Sequence, residues 1–542
     1  MKKKLSILLL ILLAASLVLK AQVKNTGFLL TDRDVYVSGE NLLAKVFVPQ
    51  DQDFKVVYLS LSAIDGQLIT SAKLKIENHE AAGYLYLPDS LHTGSFLLNA
   101  FSSHFVKQDF YSKEIVVINR FTNPDQGVQL ERANLPEVPM VNQLLIDVQN
   151  LKESYQKRQD VSLSFQLNSE LKKEITGKLS IVVSEVVPGW QARYLPVHPN
   201  FDHSILLTKY RGVVMEGMVT NTETKVPVDG ATVYLTKPDS VPYFDYYRTS
   251  ADGRFYFLLK DCQGVQPLIV QAVKEGENDQ LKVQLDDQFS HDALQAEAKP
   301  VNLTKAEQSY FSKAVSIVTF DKVYQQNELE VAKSAFNKPY PFPFYGAPDV
   351  QVDPDEFFDM RNFNELSKEL LSPVRFRERK DGYTLNLVDR DHSKYFVDLP
   401  LMTIDGVPVQ KVSQIADMGT KEIDWIDVVP HECFYGDQRF EGVLAIYTKQ
   451  LDASRILPSD RILKLNYETL QGDFKLKEPQ AENPHLPDFR QVLFWNPNQK
   501  VETKFQINFK TSDVKGTYKV GVTMRKANGE LVQSVYYFKV DE

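Results

Sequence analysis

Apolar and polar residues alternate with a period of two through most of this chain, in short runs bounded by Gly, Asp and Pro. That period sends successive side chains to opposite faces of an extended strand, so each run can bury one face and solvate the other. Repeated with turn residues between the runs, it predicts antiparallel β-sandwiches. At 542 residues the chain is too long for one core, and about three to five domains are expected.

The N-terminus departs from the pattern. Met1-Lys2-Lys3-Lys4 is a basic leader, residues 5–19 are an almost unbroken apolar run, and polar sequence begins after Ala21. The run is short for a membrane span and has the layout of a secretory signal over 1–21, cleaved after Ala21. Export is expected, to the periplasm or the outer membrane, with an extracellular location as the alternative. No later apolar run is long enough to cross a bilayer as a helix. Formal net charge is −9, and residues 1–21 contribute four lysines and no acid. This dispersed acidic balance argues against nucleic acid or an anionic membrane surface as partner. Cys262 and Cys433 are far apart, which predicts two buried free thiols and no disulfide framework.

Residues 25–120 read as a sandwich. Thr31-Asp32-Arg33-Asp34-Val35-Tyr36-Val37-Ser38-Gly39-Glu40 leads into a strand over 42–48. Residues 56–63 alternate, Asp65-Gly66 turns the chain, and Gly94-Ser95-Phe96 starts a further strand. The order resembles the second macroglobulin-like domain of the α2-macroglobulin superfamily. Residues 141–207 are expected to form a second sandwich of that kind. Residues 213–289 carry Pro227-Val228-Asp229-Gly230-Ala231-Thr232-Val233-Tyr234-Leu235 and then Asp252-Gly253-Arg254-Phe255-Tyr256-Phe257. Asp-Gly suits a hairpin, and the Val and Phe positions suit a strand core. The stretch is similar to the carboxypeptidase regulatory-like domain, a prealbumin-type sandwich that brings no peptidase site.

Residues 303–344 change period. One or two helices are expected over 303–333, then an aromatic, proline-rich link from Lys338 through Tyr340, Phe342 and Phe344 to Tyr345. Asp353-Pro354-Asp355-Glu356 has the N-cap chemistry of a helix running from Phe357 to about Leu370. Residues 345–449 contain Ile404-Asp405-Gly406-Val407-Pro408-Val409, Ile423-Asp424-Trp425-Ile426-Asp427-Val428 and Gly442-Val443-Leu444-Ala445-Ile446-Tyr447-Thr448-Lys449. These are short apolar strands punctuated by turns, with Asp-Gly supplying the positive φ of a tight reversal. The stretch resembles the plug domain of TonB-dependent outer-membrane receptors. Too few residues follow position 449 for the barrel that such a plug occupies. Residues 463–542, with Asp488-Phe489-Arg490 before Leu493-Phe494-Trp495 and Thr511-Ser512-Asp513 before Gly516-Thr517-Tyr518, resemble the central domain of α2-macroglobulins. A secretion-system sorting domain is the rival reading there.

The expected fold is therefore mainly β and multidomain: immunoglobulin-like or macroglobulin-like sandwiches in series plus one small α/β plug-like domain. The combination resembles Bacteroidota-type envelope proteins built from these three kinds of domain.

No motif for chemistry emerges. Neither Cys lies in the "CGEQ"-type run from which a macroglobulin thioester is made. His198 and His203 are close in sequence but stand outside any metal-ligand spacing, and no GxSxG, Walker or GxGxxG run occurs. Asp424 and Asp427, three apart on a strand, should face opposite ways and so not pair for acid–base work. Asp513 is expected to anchor a turn. Asp286, Asp287, Asp353 and Asp355 lack the Gly-punctuated loop of a calcium site. Tyr340, Phe342, Phe344, Tyr345, Phe357 and Phe358 are the candidates for a contact surface, with packing between helix and plug as the plainer alternative.

The expectation is a non-catalytic, exported scaffold with no cofactor and no metal, binding protein partners at the periplasmic side of the outer membrane. The resemblance leaves two alternatives: an accessory to an outer-membrane barrel protein, or a protease inhibitor without a thioester that offers residues 338–348 as bait.

Overall fold

A computed structural model describes residues 27–49, 55–101, 110–121, 130–133, 144–197, 213–260, 262–288, 297–324, 329–336, 341–380, 382–389, 394–396, 398–477 and 486–541. The expected signal segment over 1–21 lies outside these. The chain divides into two compact units, Met1–Gly212 with Gln288–Lys333 and Leu470–Glu542, and Val213–Asp287 with Ser334–Thr469. It is mostly β, with many small sheets.

The first unit holds two sandwiches. In one, Phe28–Thr31, Asn41–Phe47 and Glu80–Tyr86 form a sheet. It faces a larger sheet ordered Tyr194–Val197, Phe110–Ile118, Gly94–Phe101, Val56–Ala63, Leu68–Lys75, with Val35–Val37 pairing parallel to Phe110–Ile118. Leu29, Leu42, Leu59, Phe96, Leu98 and Ile115 fill the space between them. Tyr194–Val197, expected in the second domain, is an edge strand of the first.

The second sandwich is built from two segments far apart in the chain, residues 146–185 and 492–541. Its three-stranded sheet runs Ile146–Gln149, Asp160–Leu167, Lys504–Lys510, and its five-stranded sheet runs Ser154–Gln156, Leu531–Asp541, Gly516–Lys526, Ile175–Glu185, Val492–Gln499. Val161, Leu163, Phe165 and Leu167 alternate inward from one strand, and Phe165 stacks on Phe505 at 4.9 Å. The two separate sandwiches expected over 141–207 and 463–542 are thus one. Alternation identifies which face of a strand is buried but carries no information on which distant strand will cover it.

Helix α1 (Lys305–Tyr324) begins at a capping box in which Thr304 Oγ1 accepts the Glu307 N–H at 3.3 Å and Glu307 Oε2 accepts the Thr304 N–H at 2.6 Å. Tyr310, Phe311, Ala314, Val315 and Val318 make one stripe, which packs on Val35, Val116, Ile118 and Val187.

The second unit pairs a sandwich with a mixed α/β layer. Arg254–Leu259, Val213–Asn221 and Leu281–Leu285 face Tyr243–Arg248, Thr232–Lys237, Val265–Val273 and Ile462–Glu468. Ile462–Glu468, at the boundary of the expected last domain, belongs here. The mixed sheet is ordered Val350–Val352, Ile423–Val429, Val443–Thr448, Leu401–Ile404, Val407–Val409, with Leu401–Ile404 parallel to Val443–Thr448. A hairpin of Val374–Arg379 and Gly382–Asp389 packs on helix α2 (Phe363–Leu370), where Phe363 meets Phe376 edge-on at 5.5 Å. The helix starts later than expected. Asp353 caps only a 3-10 turn over Pro354–Glu356 and Phe357 is extended, whereas Asn362 supplies the true cap by accepting the Glu365 N–H at 3.0 Å.

Candidate functional site

In the first unit, ionisable side chains gather where residues 31–40 cross from one sheet to the other. Tyr36, 1% exposed, donates its hydroxyl proton to Asp32 Oδ1 at 2.7 Å, and the same oxygen accepts the Leu43 N–H at 2.8 Å. The Arg33 fork spreads over three acceptors: Asp32 Oδ2 at 3.2 Å, Glu40 Oε1 at 3.0 Å and Gln491 Oε1 at 2.8 Å. Gly39 permits this bend, since its φ is +89° and a Cβ would strike the Asp89 carboxylate. Gln491 Nε2 then donates to Glu185 Oε2 at 3.0 Å and to the Tyr310 hydroxyl at 3.3 Å, and Lys313 closes on Glu185. One continuous set of polar contacts therefore joins both sandwiches and α1.

Burial opposes the charge on Arg33, but Glu40 and Asp32 outweigh it and raise the guanidinium pKa. Burial raises the Glu40 carboxyl in spite of Arg33. Asp34 behaves differently: burial works against its charge, yet Lys113 at 2.6 Å and Lys519 at 3.7 Å bring its pKa down to about 2. Beside these groups lies a cavity of about 40 Å³ lined by Thr31, Lys113, Tyr194, Trp495 and Lys519 among others. It has room for water and not for a metabolite.

A second buried set fastens the same sandwiches further along. Lys45, 0% exposed, donates to Glu80 Oε2 at 2.7 Å and to Asn498 Oδ1 at 2.9 Å. Glu80 Oε1 accepts the Lys178 N–H at 3.1 Å, and Arg525 donates to the Val48 carbonyl at 2.6 Å and the His79 carbonyl at 3.1 Å. Burial lowers the Lys45 pKa, with Glu80 opposing.

In the second unit Asp389, Asp405 and Asp427 are buried carboxylates of the plug-like stretch. Asp405 (φ +52°) and Gly406 (φ +84°) make the hairpin reversal between Leu401–Ile404 and Val407–Val409, as the Asp-Gly pair predicts. The Asp405 carboxylate also reaches the Thr-Lys end of the stretch, accepting the Thr448 N–H at 2.7 Å, the Thr448 hydroxyl at 2.8 Å and the Ala453 N–H at 2.9 Å. Asp427 accepts from the Tyr345 hydroxyl at 2.7 Å and from Gln351 Nε2 at 2.9 Å, while the Tyr345 and Tyr447 hydroxyls lie 2.7 Å apart. Burial raises the Asp405 and Asp427 carboxyls, and their hydrogen bonds partly offset it. Asp427 is buried and Asp424 half-buried, so the two do not converge.

Of the aromatic candidates, Phe344 stacks on Phe244 at 4.5 Å and meets Tyr435 edge-on at 5.3 Å, and Tyr345 is held by Asp427. They are half-buried and join the sandwich to the mixed sheet. Phe342, Phe357 and Phe358 are exposed, Phe358 at 92%. Tyr340, His198 and His203 lie outside the described residues. Both cysteines are free and buried, and burial pushes the Cys433 thiol up to about 11, which suppresses the thiolate at neutral pH. Asp513 holds Arg158 at 2.6 Å and accepts the Asp488 N–H at 2.7 Å. Asp286 pairs with Arg254, and Asp355 with Lys449 at 2.8 Å. Among the described residues, no group of three or more His, Cys, Asp or Glu side chains is placed to hold a metal ion, and no helix is long and apolar enough to cross a membrane.

The polar fasteners in the first unit escape sequence reasoning because their members are scattered over the whole chain. The one available signal was Thr31 to Glu40, a charged run in a strand-rich region.

No family model and no curated protein matches the chain. Among solved structures it is similar to E. coli α2-macroglobulin in its native conformation, at 10% identity and a TM-score of 0.24 over 96% of this chain and 40% of that one. It is also similar to Salmonella α2-macroglobulin reacted with methylamine, at 9% identity and a TM-score of 0.22 over 95% and 39%. The BSP domain of a biofilm-associated protein matches at 9% identity and a TM-score of 0.16 over 50% and 30%. The chain spans about two fifths of the length of the α2-macroglobulins it matches. Scores of this size carry no inference about arrangement or activity.

Proposed function

We propose that the chain is a non-catalytic, exported envelope protein that acts as a protein-binding scaffold. The observation that carries the reading is the use made of the buried ionisable groups. Arg33, Glu185, Lys45, Glu80, Asp405 and Asp427 each close on partners from distant parts of the sequence, and Glu40 closes on Arg33. A group bound on all sides by its own fold is a fastener, and a general acid or base needs an open side facing its substrate. The resemblances to macroglobulin-like, regulatory-like and plug-like domains support the same reading, since they point to spacers and docking modules of the envelope.

Phe358, 92% exposed, and Phe434, 64% exposed, are rings of the kind that anchor protein contacts. The test is co-purification of the tagged full chain from detergent-extracted envelopes. A protein recovered at fixed stoichiometry, and lost on Phe358→Ser with Phe434→Ser, supports a scaffold. If that protein is an outer-membrane barrel, the accessory role follows. Recovery of the chain alone, or of the same companions whether or not the rings are present, contradicts the proposal.

A further inference from the structure

The hairpin over Val374–Arg379 and Gly382–Asp389 has one face against α2 and the other open. Val374 and Phe376 point inward, while Arg375, Arg377 and Arg379 are exposed. Alternate residues of a strand stand on one face about 6.8 Å apart, so the three guanidinium groups form a row. Across from them in register are Asn386, Thr384 and Gly382, which are small and uncharged. Lys380 adds a fourth exposed cation at the turn, and Glu378, also exposed, alternates to the other face of the strand. Arg375 donates to the Ser372 carbonyl at 2.6 Å, and none of the three arginines is in an ion pair among the described residues. This contrasts with Arg33, Arg158, Arg254 and Arg455, each held by a carboxylate. The overall balance of −9 argues against an anionic surface as partner for the chain as a whole, but an open row of arginines is a local reversal of sign, and the conflict is resolved at this one face.

We propose that this face docks on an anionic lipid surface through its phosphate groups. Magnitude favours a lipid layer over an acidic peptide. A basic side chain at an anionic membrane gains about fivefold in affinity, and three together about a hundredfold. An exposed ion pair with a single carboxylate gains about 1.4- to fivefold, so a peptide must place a carboxylate at each of three positions to match a surface that presents phosphates throughout. Guanidinium suits the geometry, because its fork matches two phosphate oxygens at once. The site is separate from the exposed Phe358 and Phe434, so its failure would leave the protein-binding reading standing, and the converse.

The test is co-sedimentation of the full chain with vesicles of phosphatidylcholine alone or with about a third phosphatidylglycerol. Arg375→Ser, Arg377→Ser and Arg379→Ser are combined in one variant, and Arg→Lys at the same three positions in another. Both should keep the wild-type unfolding midpoint, since the side chains are exposed. The account expects the wild type to partition about a hundredfold more strongly than the Ser variant onto the anionic vesicles, with the difference erased at high salt. The Lys variant should retain most of the binding, which also covers the case of a Ser variant that misfolds. Equal binding by wild type and Ser variant, or a Lys variant that binds no better than neutral vesicles allow, overturns the proposal. Arginine-dependent binding to a Glu-rich peptide without vesicle binding overturns it in favour of an acidic protein segment.

Discussion

Arg33 Nη1 donates to Gln491 Oε1 at 2.8 Å across 458 positions of sequence. The first sandwich and the second, assembled from distant parts of the chain, meet at this contact. Removing the cation leaves Glu40 and Asp32 facing each other in a dry interior, and breaking a buried pair in that way costs about 3–5 kcal/mol. Arg33→Met should therefore lower the urea-unfolding free energy by about that amount. Arg33→Lys should rescue little, because one ammonium cannot span three acceptors held by a fork. A loss below about 1 kcal/mol in Arg33→Met would mean that the junction holds nothing together.

Asp34 gives the junction an acid limit. Its folded pKa of about 2 lies below the value of an unfolded Asp. The stabilisation is thus present above about pH 4 and is lost as pH falls through the folded pKa. The depression corresponds to about 2 kcal/mol. Chemical denaturation of wild type and Asp34→Asn should differ by about that much at pH 6, and the gap should close towards pH 2. A gap that is constant with pH would contradict the pairing with Lys113 and Lys519.

In the second unit Asp405 carries the plug-like stretch. Asp405→Ala strips acceptors from two buried N–H groups, each costing about 1–3 kcal/mol when unsatisfied, and places Ala in a left-handed conformation it resists. The variant should lose about 3 kcal/mol or more. Asp405→Asn keeps one acceptor oxygen and tolerates the positive φ, so it should lose less than half as much. Equal losses in the two variants would dismiss this role for the Asp405 carboxylate.

Local features were legible beforehand. The Asp405-Gly406 reversal needs only two residues that accept positive φ, and α1 needs only an uninterrupted run free of Gly and Pro. Long-range features were hidden. Nothing local in Asp160–Leu167 names Lys504–Lys510 as its neighbour, so two sandwiches were expected where one exists. Asp353 looked like a helix cap because Pro and acids follow it, yet Asn362 holds that place, since the chain stays extended at Phe357. Phe344 and Tyr345 read as candidates for a contact surface with packing as the plainer alternative, and the neighbours they pack on, Phe244 and Tyr447, lie about a hundred residues away.

The central claim is that residues 146–185 and 492–541 close a single sandwich, whose fasteners account for the buried charge of the first unit. Ser164 and Gln506 sit directly opposite in the antiparallel register, at a separation a disulfide can bridge. Ser164→Cys with Gln506→Cys should cross-link rapidly within the folded chain under mild oxidation, seen as a reductant-sensitive shift in mobility, while Ser164→Cys with Lys510→Cys should not. Failure of the first pair to cross-link, or equal cross-linking of both, would contradict the account.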